Sequence, residues 1–142
     1  MKKSLFITLL LIAALALAAA CTKSTSSNVS TGKPIASVKV NDLAVTVSNS
    51  TGQLKQGDQE ITLVFVDATG KPVDVGAASL NFHMPAMGSM AAMNNAVTLA
   101  TTSTPGVYSG KVNISMAGEW QGQLAFEGPA GKGKATFSAT AR

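Results

Sequence analysis

From Ile35 onward the chain repeats with a period of two, and this constrains the fold more than any other feature. Leu43, Val45 and Val47 alternate with Ala44, Thr46 and Ser48, and Ile61, Leu63 and Phe65 alternate with Thr62, Val64 and Val66. Ala78, Leu80, Phe82 and Met84 form a face opposite Ser79, Asn81 and His83. Val97 and Leu99 mark a short strand, and Tyr108, Val112, Ile114 and Met116 share a face opposite Ser109, Lys111, Asn113 and Ser115. Trp120, Leu124 and Phe126 follow, and Ala135, Phe137 and Ala139 close the series. Successive side chains of a strand point to opposite faces, so these runs describe half-buried strands. The breaks, Asp67-Ala68-Thr69-Gly70-Lys71-Pro72, Thr104-Pro105-Gly106 and Gly128-Pro129-Ala130-Gly131, have turn chemistry. With no amphipathic helix between them, the expectation is an all-β, immunoglobulin-like antiparallel sandwich of about seven strands.

Before the first strand the composition changes twice. Lys2 and Lys3 precede an apolar run from Leu5 to Leu17, then Ala18-Ala19-Ala20-Cys21. A charged start, a short apolar core and small residues at the break describe an export signal, too short for a spanning helix. Residues 1–20 are therefore expected to be removed. Leu17 to Cys21 resembles a bacterial lipoprotein lipobox, with Ala18 where the pattern prefers Leu or Val. The resemblance implies diacylation of Cys21, cleavage before it and acylation of the new N-terminus. Each buried CH₂ contributes roughly 0.8 kcal/mol, so several acyl chains anchor a protein stably. Residues 21–34, rich in Ser and Thr and poor in apolar residues, read as the lipidated cysteine followed by a flexible tether. Residues 35–142 are left as one domain.

Cys21 is the only cysteine. Once it is acylated the domain has no thiol, can form no internal disulfide and rests on its core alone. The formal charge of +4 overstates the mature basicity, because Lys2 and Lys3 leave with the signal. Scattered lysines and few aromatic residues do not make a nucleic-acid surface. The carboxylates Asp42, Asp58, Glu60, Asp67, Asp74, Glu119 and Glu127 are dispersed, and no nucleophile–base motif or phosphate-cradling loop is present, so an enzyme is not expected.

The chemistry concentrates in Phe82-His83-Met84-Pro85-Ala86-Met87-Gly88-Ser89-Met90-Ala91-Ala92-Met93, which holds the only histidine and four of the six methionines. Thioethers and imidazole are ligands for soft monovalent ions, Cu(I) or Ag(I), rather than for calcium or magnesium. Pro85 should end the strand at Met84. Met84, Met87, Met90 and Met93 recur every third residue; in an α-helix they would drift by about 60° per step. Pro85 and Gly88 oppose such a helix, although Ala91-Ala92-Met93 suits a single turn, and the segment reads as an irregular loop at the end of the sandwich. Methionine also fills irregular core gaps. That reading suits Met84 and Met116, which continue apolar faces, better than Met87, Met90 and Met93, whose neighbours offer a core little to grip. His83, on the polar face, is either structural or a ligand. Its protonation would weaken a metal site, while the thioethers are indifferent to pH.

Gly70-Lys71-Pro72-Val73, Leu80-Asn81-Phe82-His83-Met84-Pro85-Ala86-Met87-Gly88, Pro105-Gly106-Val107-Tyr108 and Met116-Ala117-Gly118-Glu119-Trp120 together resemble the YtkA-like and FixH-like domains, over about Leu43 to Ala141. The resemblance implies an immunoglobulin-like envelope domain associated with copper handling, with heavy-metal efflux or with assembly of copper-containing oxidases. It implies Met84, Met87 and Met116 as ligands with His83 beside them, Met90 and Met93 extending the pattern, and Gly118 and Trp120 in structural roles. Many relatives place a further His after Met87; its absence here leans the reading toward a monovalent ion. Two functions follow as expectations. One is a lipid-anchored protein that buffers or passes on Cu(I), with a copper efflux or oxidase-assembly protein as partner. The other is a non-catalytic assembly module whose methionine loop contacts a partner protein. Either would sit in the cell envelope, at the outer membrane facing the periplasm in a Gram-negative cell or on the outer face of a Gram-positive membrane.

Overall fold

The computed structural model describes residues 32–142; the expected signal, the acylation site and most of the tether lie outside the described residues. Nine strands follow in order: β1 (Lys33–Val40), β2 (Leu43–Asn49), β3 (Gly57–Val66), β4 (Ala77–Met84), β5 (Met93–Ala96), β6 (Thr98–Thr101), β7 (Val107–Ile114), β8 (Gly118–Gly128) and β9 (Gly131–Ala141). They form a five-stranded sheet, β1-β2-β3-β7-β6, and a four-stranded sheet, β5-β4-β8-β9. Every pairing between these strands is antiparallel. The expected all-β sandwich is present, with nine strands instead of about seven. No helix of the described residues is long and apolar enough to cross a membrane.

The two additional strands have different causes. β1 begins at Lys33, two residues before the expected domain boundary, because Lys33 and Pro34 already pair with Asn49 and Ser48. Proline is tolerated there since β1 is an edge strand. β5 has no apolar alternation of its own; its conformation comes from pairing with β4, Met84 opposite Met93 and Asn81 opposite Ala96. At Val97 the chain leaves this sheet, and β6 joins the other one beside β7. Val97 is itself buried, at the crossing point.

The core lies between the inward faces of both sheets. Val45, Val47, Ile61, Leu63 and Phe65 from one sheet meet Leu80, Phe82, Trp120, Leu124 and Phe126 from the other, all buried. Phe65 meets Tyr108 and Phe126 edge-on, with ring centroids 5.6 and 5.4 Å apart. Such pairs contribute roughly 0.5–1.5 kcal/mol beyond the area they bury. The two ends of the sandwich are closed differently. At one end the Tyr108 hydroxyl donates to the Gly76 carbonyl (2.7 Å) and to Asp74 Oδ1 (3.2 Å). At the other, a parallel bridge joins Leu54 to Ala141. The Gln56 backbone N–H donates to the Arg142 carbonyl there (3.1 Å), and its side-chain Nε2 donates to the Ser115 carbonyl (3.2 Å). This second end carries the methionines.

Candidate metal centre

β4 does not run into an irregular loop. Past Met84 the chain continues in register to a second pairing, Met87 opposite Met90, in step with Met84 opposite Met93. The Met87 N–H donates to the Met90 carbonyl (3.1 Å), and the Met90 N–H donates to the Met87 carbonyl (2.9 Å). Only Gly88 and Ser89 lie between them, and Gly88 has φ +57° while Ser89 stays at negative φ. A positive φ at the first central residue alone is the requirement of a type II′ hairpin turn, which glycine meets without steric cost. The segment is therefore a hairpin. No helical turn forms at Ala91-Ala92-Met93, because Met93 belongs to β5.

The register sorts the methionines onto two faces. Directly opposite residues share a face, and residues three apart along a strand lie on opposite ones. Met84 points inward and is 1 % exposed. Its partner Met93 is half-buried and packs against the core, as does Met116, which links β7 to β8. The Met84 Cε methyl lies against Gly118, 3.0 Å from where a Cβ would stand. Gly118 also has φ +140°, a conformation that residues with a Cβ avoid. Trp120 is buried below, and its Nε1 donates to the Met116 carbonyl (3.1 Å). Asn95 and Ser115 exchange two side-chain hydrogen bonds, of 2.9 and 3.0 Å, joining β5 to the end of β7. Met84, Met93 and Met116 thus come from three segments to one end of the core.

Met87 and Met90 point the other way. They are 55 % and 40 % exposed, the exposed large hydrophobic residues of the described chain. Pro85, which lacks the N–H to continue the ladder, and Met87 border a shallow cleft with Glu119, Trp120, Gln121 and Ser138.

His83 lies on the outward face, half-buried. Its Nδ1 is 2.9 Å from Asn94 Oδ1, which also accepts from Asn81 Nδ2 at 3.2 Å. Asn81 Nδ2 in turn donates to Gln123 Oε1 (3.2 Å). An amide oxygen only accepts, so Nδ1 is the donor in this contact and Nε2 takes no part in it. Histidine metal ligands are commonly oriented by such a bond from their other nitrogen. At about 3.4 Å per residue, however, four positions of strand separate His83 from Met87 by roughly 13 Å. The register therefore pairs Met84 with Met93 and Met87 with Met90, with His83 apart from the tip pair, while Met116 packs against the same end of the core beside Trp120.

The donors fit a soft monovalent ion. Residues directly opposite in an antiparallel pair have Cβ atoms about 4.5–5.5 Å apart, a span two thioethers close on one ion. Thioethers need lose no proton to bind. Among the described residues no group of three His, Cys, Asp or Glu side chains converges; the clustered donors at this end are thioethers, with the single carboxylate Glu119 bordering the cleft beside Met87. Two parts of this arrangement were missed in the sequence reading. Gly88-Ser89 between paired residues is a recognisable two-residue hairpin signal. Asn94, which orients His83, leaves no signal at all, because its role exists only through the β4–β5 pairing.

The profile of the YtkA-like family matches residues 37–125. No curated protein matches the chain in sequence. A crystal structure of a DUF4426 family protein from Pseudomonas aeruginosa PAO1 is similar in fold, with a TM-score of 0.54 at 18% identity, covering 74% of this chain and 94% of that one.

Proposed function

This chain belongs to the YtkA-like family, and from that premise we propose that it is a lipid-anchored envelope protein whose methionine hairpin binds Cu(I) for buffering, delivery or efflux. Ag(I) would share the chemistry. One observation carries the reading: a single register sets Met84 opposite Met93 and Met87 opposite Met90. Four thioethers are thereby paired across two strands, and Met116 packs against the same end of the core. Core packing accounts for Met84, but it does not account for two thioethers exposed at a turn. When bound, the ion would be held by thioethers in a low-coordinate site that no pH change above the carboxylate range disturbs. Acylated Cys21 would hold the domain at its membrane, and a copper efflux or oxidase-assembly protein would be the partner. No catalysis is invoked.

The test is a titration of the full chain, in detergent, with Cu(I) against a chromophoric chelator. It is repeated with Met84, Met87 and Met90 changed together to Leu. A saturable complex that is lost in the triple variant, with the circular dichroism unchanged, supports the reading. Equal behaviour of the two proteins refutes it. The 55 % and 40 % exposure of Met87 and Met90 favours a second reading in that case, an assembly module that uses the tip as an adaptable apolar contact.

A further inference from the structure

Resting on that reading, we propose that the hairpin carries two thioether sites in series: an outer pair, Met87 and Met90, that captures the ion, and an inner set, Met84, Met93 and Met116, that retains it. The parity of the register is the first argument. Pairs three positions apart face opposite sides, so the five sulfurs are not one ligand shell. Accessibility is the second. Met84, at 1 % exposed, is not where an arriving ion makes first contact, whereas Met87 and Met90 stand in solvent. Construction is the third. The outer pair is set locally by the two hydrogen bonds of one turn. The inner set needs β4, β5 and the β7–β8 link together, held by the Asn95–Ser115 bonds and the Trp120–Met116 bond. A two-ligand site on the surface exchanges quickly; a site with more thioethers, shielded from water, releases slowly.

Because the two pairs face opposite sides, the ion passes from one to the other around the free edge of β5. Pro85, Ala86, Ala91 and Ala92 separate the two pairs; all four are exposed, and none has a side chain long enough to bar the way. The Cα atoms of Met90 and Met93 are roughly 10 Å apart along the extended edge segment, with only the small Ala91 and Ala92 between them. Transfer is ligand exchange without redox change. The bond to Met87 breaks, a bond from the half-buried Met93 forms before the bond to Met90 breaks, and the ion stays monovalent throughout.

The experiment follows transfer of Cu(I) from a coloured Cu(I)–chelator complex to the full chain in detergent, by stopped flow and at equilibrium. The outer variant is Met87→Leu with Met90→Leu, and the inner variant is Met93→Leu with Met116→Leu, leaving Met84 to fill the core. The outer variant is expected to keep its equilibrium affinity within about twofold of the unsubstituted chain and to acquire the ion at least tenfold more slowly. The inner variant is expected to keep the initial rate and to lose at least tenfold in affinity. Equal losses of affinity in both variants would mean one joint site and overturn the proposal. Loss of affinity in the outer variant alone would place the only site at the tip and overturn it as well. Failure of the unsubstituted chain to take up Cu(I) would remove the functional reading itself and this inference with it. Circular dichroism of each variant separates these outcomes from misfolding.

Discussion

Met84 and Met87 are the same residue type three positions apart on one hairpin, yet one is 1 % and the other 55 % exposed. Nothing in their immediate neighbours explains the difference; parity does. Met84 falls in phase with Leu80 and Phe82 and is carried into the core. Met87 falls out of phase and is held at the surface by the Gly88-Ser89 turn. Inward, a methionine adds packing. Outward, it adds only what its sulfur can contact, at the cost of an exposed, oxidisable thioether. The hairpin thus joins a structural face to a chemical face, and substitutions should separate the two.

The largest effect is expected at the base of the inward face. Trp120→Ala should cost about 3–5 kcal/mol, since it leaves a large cavity in the core and the Met116 carbonyl without its donor. Urea denaturation measures this. The direct contrast comes next: Met84→Ala should lose about 2–5 kcal/mol, while Met87→Ala should stay within about 0.5 kcal/mol of the parent. Similar losses at both positions would break the distinction between the faces. Gly118→Ala should cost about 1–3 kcal/mol, because a Cβ there meets both the unfavourable φ and the Met84 methyl. Pairing it with Met84→Ala in a double-mutant cycle isolates the contact, and simple additivity would show that φ alone matters.

A change at the opposite end of the sandwich sharpens the comparison, since it touches neither face of the hairpin. Tyr108→Phe should lose about 0.5–1.5 kcal/mol by removing the hydroxyl's bonds to Gly76 and Asp74. Burial, and then the neighbouring Asp74 charge, hold this hydroxyl above its ordinary value of 10.0. Its folded-state pKa is raised, so its contribution is complete below pH 10.0 and is lost as pH rises through the folded value. Alkaline unfolding of the parent should be steeper than that of Tyr108→Phe. The smallest effect on stability is expected from oxidation. Dilute hydrogen peroxide should convert Met87 and Met90 to sulfoxides before Met84, with the midpoint of unfolding nearly unchanged, as peptide mass spectrometry would show.

The amino-acid sequence by itself determined the all-β class, most of the strands and the residues of chemical interest. Period-two alternation and turn residues are local signals, and the single histidine and clustered methionines are visible in any conformation. It also identified Met84 as a residue in phase with a core face. Tertiary structure alone decided which methionines meet. The spacing of three placed Met84, Met87, Met90 and Met93 in one series, but strand pairing regrouped them as Met84 with Met93 and Met87 with Met90. It likewise made Met93–Ala96 a strand, set Asn94 against His83, and joined Asn95 to Ser115, twenty residues along the chain. The physical reason is that a strand's side-chain direction follows from its own sequence, whereas its partner and register depend on hydrogen bonds to another strand. In this protein the candidate chemistry lies in that register.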